Sequence, residues 1–560
     1  MARAEPPQRS RILAGAGLDA GEFRPVILVA VLIVAISCLP YLVGYLAAPP
    51  AQVFGGFVLD EIDSNTYLAI MQQGVQGQWS ATLLYTPEDH PPAIMYVFYL
   101  ALGHVAAGLG LPLILAYHVA RIGCALILLV SLYLFLALFL KSKRERWTAY
   151  LLAATGSGIG WLVVALAGNM ALAGVSPIDF WLMEAYVFFT LFLFPHSALA
   201  MALLMGILGA IVTYFREEGD VRSWLLALGS GLALALVNPY VLMIAGLILA
   251  AYAVALWGVR GRVPPYQGLA LAALGLVFAV LLVTYPLQLN LHPVGRSFLT
   301  QNIMPSPPLL YYAAGYGLIF ALALPGAWHV LKRRNEGQWL LIAWPVSAFL
   351  ASYLPMSGQR RMIFGAVIPL AALAAIGLQR TVLPNIQQSR LADWLLARDY
   401  SRQRLGGLIT ALTVALASIS NLLLLSGSTV SAATAHPSMT QPAAVEEAIA
   451  WLGQHSPADA VVLSSYRVGN LIPARIGRRV VWGHWAQTAF YDQKRVDVTA
   501  FFDSSTSSWE RQSTLARYGV DCLFYGPQEQ SLGHFNPNAA AYLEEMFRNQ
   551  MVTIYRVSTD

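Results

Sequence analysis

Runs of 18 or more apolar residues recur along this chain, and they limit its fold more than any other feature. A run of that length can cross the hydrocarbon core of a bilayer as a helix. In lipid the backbone N–H and C=O groups must pair within the segment, so the runs read as helices. Composition agrees. Of 560 residues, 57% are hydrophobic and 11% charged, against about 25% charged in a soluble protein. The chain reads as a polytopic α-helical membrane protein. A net charge of +5 does not point to nucleic acid, because most basic residues sit in short loops between apolar runs. Cys38, Cys124 and Cys522 lie far apart, which supports neither a disulfide framework nor a zinc site.

About eleven spans are predicted, at 25–47, 112–140, 148–167, 196–214, 224–237, 240–257, 268–286, 309–331, 338–354, 362–378 and 405–425. With a cytoplasmic N-terminus, the inside segments hold 20 Lys and Arg residues. The outside loops between spans hold only Arg296, Arg360 and Arg361, so the positive-inside rule is satisfied. Residues 1–24 then form a cytoplasmic tail. Residues 25–425 form a transmembrane domain of the plasma membrane with a first outer loop at 48–111. The C-terminal region lies outside the cell. Spanning by Ala93–Gly110 would invert every later loop; after Pro91-Pro92 it reads as a helix lying at the interface. Thr66–Val75 reads the same way, capped by Ser64 or Asn65. The stretch 426–442 is rich in Ser, Thr, Ala and Pro and reads as a flexible linker. Residues 443–560 read as a small α/β domain. Helices are expected at 445–455, 508–518 and 538–549, and strands around 460–465, 478–483, 522–526 and 551–557.

The first outer loop contains no Lys or Arg and two acidic clusters. Asp60, Glu61 and Asp63 come first. A carboxylate beside a bilayer could deprotonate a hydroxyl delivered at the surface, and partial desolvation would keep it basic. The competing reading is solvated charges or helix caps. Glu88, Asp89 and His90 could orient a sugar, or join Asp60 around a divalent cation; otherwise they form a turn. Asp179, Glu184 and His196 could line the same cavity. Arg296, Arg360 and Arg361 break the inside bias, and arginine suits a lipid phosphate or pyrophosphate; otherwise they pair with the acidic loop. Arg121 sits inside a span, and its alternatives are pairing with Asp60, Glu184 or a backbone carbonyl. Trp482, Trp485 and Trp509 could stack on a sugar or fill a core.

These residues carry a resemblance. The acidic motif after the first span, the two interfacial stretches, the EDHPP loop, the FPHSA sequence at 194–198 and GQRRM at 358–362 resemble bacterial members of the GT-C superfamily of membrane glycosyltransferases. The likeness is to polyprenyl-phosphate-sugar-dependent, family 39 or mannosyltransferase-like enzymes. It implies a GT-C-like transmembrane fold with an extracytoplasmic C-terminal domain. By resemblance, Asp60 is the general base and Glu61 its alternate, and outer arginines hold a polyprenyl-phosphate donor. A hexosyl or pentosyl group then passes, with inversion, to a hydroxyl of a glycan, lipid or protein acceptor in the envelope. The resemblance implies no nucleotide sugar, and a divalent metal ion is open. The chain has no WWD signature, which argues against transfer of whole glycans to asparagine. The alternatives are a multi-pass transporter or flippase, and a non-catalytic envelope scaffold. Few midplane charges and no internal repeat weigh against the former.

Overall fold

The computed structural model describes residues 20–167, 177–217, 219–390 and 401–558. The expected cytoplasmic tail lies largely outside the described residues. The chain divides into two compact units, each built from three stretches. The first takes the chain up to Cys38, Arg121–Leu282 and Met304–Gly427; the second takes Leu39–Ala120, Val283–Ile303 and the chain from Ser428.

Helices appear at all eleven expected places, but among the described residues seven are long and apolar enough to cross a membrane. The number is nine if each of two bent pairs is one span. The expected spans at 224–237 and 338–354 are the 17-residue Val221–Val237 and the 12-residue Leu340–Ala351 helices. The expected spans at 148–167 and 405–425 are the bent pairs: Lys143–Thr155 with Gly160–Leu166 at 50°, and Arg402–Ala417 with Ile419–Ala433 at 46°. The two breaks answer each other inside the first unit. Ser157 N and Oγ both donate to Ala417 O, at 2.6 and 2.8 Å. Asn421 Nδ2 donates to the carbonyls of Thr155 and Gly156. Backbone groups freed by each bend thereby find partners, which irregular backbone among apolar helices requires.

The second unit contains a five-stranded mixed sheet. Strands β1 (Gln52–Phe54) and β2 (Thr440–Pro442) form a separate antiparallel pair. The sheet itself comprises β3 (Val461–Leu463), β4 (Arg479–Val480), β5 (Cys522–Tyr525), β6 (Leu543–Arg548) and β7 (Thr553–Val557), in the order β4-β3-β5-β7-β6. β3 runs parallel to β4 and β5; the other pairings are antiparallel. Strand alternation splits the core in two. Val462, Cys522, Phe524 and Ile554 pack on one face with the Ala443–His455 and Tyr466–Ile476 helices, and with Ala69, Leu84 and Tyr85 of the first loop. Val461, Leu463, Leu523 and Tyr555 pack on the other face with Val498, Phe502 and Leu515.

Two local expectations are corrected. The stretch 538–549, read as a helix, is a 3-10 turn at Pro537–Ala539 followed by β6. Pairing along the sheet edge overrides its helical pattern. The stretch 426–442 is helical through Ala433 and then joins β2. Its hydroxyls do not disrupt the helix because they bond back to it, Ser426 to Leu423 O and Thr434 to Val430 O.

Candidate functional site

The first acidic cluster opens the Glu61–Val75 helix, which begins four or five residues earlier than a Ser64 or Asn65 cap would place it. Ser64 and Asn65 are instead buried in its first turns. The helix crosses Val97–Leu109 so closely that a Cβ on Gly74 would lie 2.2 Å from Leu100 O, and one on Gly103 would lie 2.2 Å from Met71 O. Its other neighbour is Tyr466–Ile476, where Gln72 Nε2 donates to Arg475 O at 2.6 Å. Asp60 occupies the N-cap position with φ 51° and ψ 47°, and its side chain makes no capping bond. It is exposed. A non-glycine residue in the left-handed region is strained by roughly 1–3 kcal/mol, and such residues concentrate at functional sites.

The three carboxylates of this cluster differ in what surrounds them. Burial pushes the Glu61 carboxyl up, while Arg467 and Arg475 draw it back down. Arg475 bonds Glu446 and Asn65, so Glu61 belongs to a charge network that joins three helices, Glu61–Val75, Ala443–His455 and Tyr466–Ile476. Asp63 Oδ1 accepts from His484 Nε2 at 2.7 Å.

The second cluster is fully engaged within the same unit. Glu88 accepts from Lys494 Nζ at 2.6 Å and from Thr86 Oγ1. Lys494 is 1% exposed, and desolvation pushes it down to about 8. Asp89 pairs with Arg479 at 2.7 Å. His90 Nε2 accepts from Leu83 N at 2.9 Å, which leaves Nδ1 to donate to Glu88 O at 2.8 Å. Burial pushes the His90 imidazole down, and it is a neutral structural ring. It lines a cavity of about 30 Å³, room for a water but not for a sugar. Among the described residues no three His, Cys, Asp or Glu side chains come together as a metal site. With Glu88 held by Lys494 and His90 Nε2 taken by Leu83 N, this donor set does not fit a divalent cation. Arg296 is exposed on the Pro293–Gln301 helix.

In the first unit, Arg121 is 1% exposed and donates to Ser37 Oγ, Cys38 Sγ and the carbonyls of Leu191 and Phe192. Of its three expected pairings, it makes the backbone one: it satisfies the end of the Val187–Leu193 helix. Asp179 is fully buried and accepts from Gly160 N at 3.0 Å, holding the bend after Thr155. His196 contacts Ser197 Oγ. Glu184 pairs with Arg361 at 3.5 Å. Arg360 lies 5.2 Å over the Trp181 ring, and its Nε is buried without a hydrogen-bond partner. Of the three arginines expected outside, Arg360 is therefore the one with the clearest unmet demand for an anion.

Arg467, Arg475, His484 and Lys494 escaped the sequence reading because only the fold brings them to the acidic loop. Of the tryptophans, Trp482 is buried in the core and Trp509 is 76% exposed.

No family model matches the sequence, and no curated protein matches it. Solved structures do. The oligosaccharyltransferase of Archaeoglobus fulgidus in its apo form superposes with a TM-score of 0.56 at 13% identity, over 96% of this chain and 74% of that one. The oligosaccharyltransferase AglB of Archaeoglobus fulgidus, in complex with an inhibitory peptide and a dolichol-phosphate, gives 0.53 at 14% over the same shares. A point mutant of the arabinofuranosyltransferase AftD from Mycobacteria gives 0.52 at 16%, over 94% of this chain and 42% of that one. At such identities the likeness concerns the fold alone: this chain shares the fold of the archaeal oligosaccharyltransferase and of the mycobacterial arabinofuranosyltransferase.

Proposed function

We propose that the chain is a membrane glycosyltransferase that moves one sugar from a polyprenyl-phosphate donor to an acceptor hydroxyl, with Asp60 as general base. One observation carries this reading: in a GT-C fold, Asp60 presents an exposed carboxylate from strained left-handed backbone at the head of the Glu61–Val75 helix, without capping it. A carboxylate held there at a cost in stability has a use other than helix formation. The acceptor hydroxyl gives its proton to Asp60, and its oxygen attacks the anomeric carbon opposite the phosphate. The bond from that carbon to the phosphate oxygen breaks, and polyprenyl phosphate leaves with inversion of the sugar. Glu61, half-buried and already hydrogen-bonded to Gln441 and Asn65, is not the base; Asp63 binds the acceptor. The archaeal neighbour's complex with a dolichol-phosphate supports a lipid-linked donor. In this reading the chain is a multi-pass protein of the plasma membrane, with its N-terminus in the cytoplasm and the first loop and residues 443–560 outside.

The test uses the full chain in nanodiscs with polyprenyl-phosphate mannose, glucose, galactose and arabinofuranose, plus an envelope extract as acceptor source. Wild type should release polyprenyl phosphate from one donor. Asp60→Asn should bind that donor yet release it about 10²–10⁴-fold more slowly, the usual worth of a general base. Near-normal release by Asp60→Asn removes Asp60 from the mechanism.

A further inference from the structure

His484 is 5% exposed and sits in the loop between β4 and the Tyr491–Phe502 helix. Its Nδ1 accepts from the backbone N–H groups of Ala486, at 3.1 Å, and Gln487, at 3.3 Å. That occupies the Nδ1 lone pair and places the ring proton on Nε2, which donates to Asp63 Oδ1 at 2.7 Å. His484 is therefore a donor of fixed tautomer and cannot act as a base.

The loop that carries it is built for this contact. A Cβ on Gly483 would lie 2.5 Å from Tyr85 Cδ1, so only glycine lets the loop approach the first outer loop so closely. Thr488 Oγ1 accepts from Gly483 N at 3.1 Å, and His484 O accepts from Gln487 and Thr488 N. Outside bonds then pin the loop. Gln301 Nε2 donates to Thr488 O at 2.9 Å, and its Oε1 accepts from Tyr491 N at 3.0 Å. Ser297 Oγ accepts from Phe490 N at 3.0 Å. Phe490 itself is held in left-handed backbone, φ 53°. The Asp63 carboxylate also feels Tyr85 and Tyr466, and Glu61 lies two residues before it.

We propose that His484 is a positioning residue of the transfer reaction: a neutral imidazole, carried by a pinned loop of the C-terminal stretch, that holds the Asp63 carboxylate ionised and oriented toward the acceptor hydroxyl. This rests on the glycosyl-transfer reading above and adds to it a role for residues 483–491. A donor that bonds the ionised carboxylate favours that form, and a carboxylate fixed in one orientation removes a search that the acceptor would otherwise wait for.

The experiment measures polyprenyl phosphate release against pH for wild type, His484→Ala, His484→Gln and Asp63→Asn, with the donors and extract given above and melting temperature read on each sample. His484→Ala should slow release about 10–100-fold, as for loss of a hydrogen bond to a charged group. It should also move the acid limb of the profile upward, because Asp63 then protonates more readily. His484→Gln, whose Nε2 amide replaces the ring Nε2–H, should restore most of the rate and return the limb. In Asp63→Asn, a further His484→Ala change should cost little. Release by wild type with an acid limb unmoved in His484→Ala overturns the role of His484 alone. A loss that tracks melting temperature and is not rescued by His484→Gln also overturns it, in favour of a packing role. No release by wild type from any donor overturns the glycosyl-transfer reading, and the role of His484 falls with it.

Discussion

At the scale of single residues, the backbone of Asp60 separates strain from function. Left-handed backbone costs an ordinary residue free energy that glycine does not lose. Asp60→Gly should therefore leave melting temperature unchanged or slightly raised, since the strain relieved, about 1 kcal/mol, offsets glycine's greater freedom when unfolded. It should nonetheless abolish polyprenyl phosphate release. A fall in stability equal to that of a typical core change would show that the side chain supports the fold. Arg360 makes the complementary case. Its guanidinium rests on Trp181 with Nε buried and unmet, whereas Arg361 is already paired with Glu184. Arg360→Ala should weaken binding of a polyprenyl-phosphate sugar about tenfold or more. Arg360→Lys should recover only part, because a point charge replaces neither the planar fork nor the stacking. Binding that is weakened more by Arg361→Ala than by Arg360→Ala would move the phosphate contact.

At the scale of elements, the Tyr491–Phe502 helix reaches the second acidic cluster through one buried cation. Lys494 Nζ bonds Glu88 at 2.6 Å and Thr86 Oγ1 at 2.7 Å. Its pKa is pushed down from 10.5 to about 8, so burial outweighs the attraction of Glu88. Between those two values the unfolded chain holds a proton that the folded chain has lost. From this group alone, stability therefore rises with pH across that window, by about 3 kcal/mol in all, and is lower below it. Melting temperatures of wild type and Lys494→Met, taken from pH 7 to pH 10.5, should show wild type gaining on the variant as pH rises. A constant difference would mean that the lysine titrates at its ordinary value. The same helix shows where sequence reading stops. Apolar runs mark every long helix, because span length is a local property. The acidic motif was legible for the same reason: Asp60, Glu61 and Asp63 are neighbours in sequence. Lys494, His484 and Arg475 were not, since each meets the first loop across hundreds of residues, and a lone charge in an α/β stretch reads as surface. Strand β6 was missed because its edge position, set by pairing with β7, leaves a burial pattern without alternation.

At the scale of the whole molecule, the second unit decides what the C-terminal stretch is. Read from sequence, residues 443–560 look like a domain that follows the membrane part. In the structure one of the two cores around their sheet is shared: Ala69, Leu84 and Tyr85 of the first loop pack with Val462, Leu471 and Phe524. The same unit is laced by polar bonds that run between the stretches, Gln72 to Arg475 O, Val480 N to Leu84 O and Gln301 to Thr488 O. A fragment of residues 443–560 would lose those partners. It would expose Leu471 and Ile472, which are 1% and 0% exposed in the chain, and would strand Lys494 without Glu88. Removing one partner of a buried pair costs about 3–5 kcal/mol, and apolar exposure adds about 25 cal/mol per Å². Stabilities of small domains are about 5–15 kcal/mol, so losses of this size remove most of the margin. The isolated fragment should therefore melt without a sharp transition and exchange its β3 and β5 amides rapidly. Adding a peptide of residues 60–92 should restore protection at both strands. A fragment that melts cooperatively alone, with both strands protected, would show that the first loop is bound by a finished domain and is not part of its core.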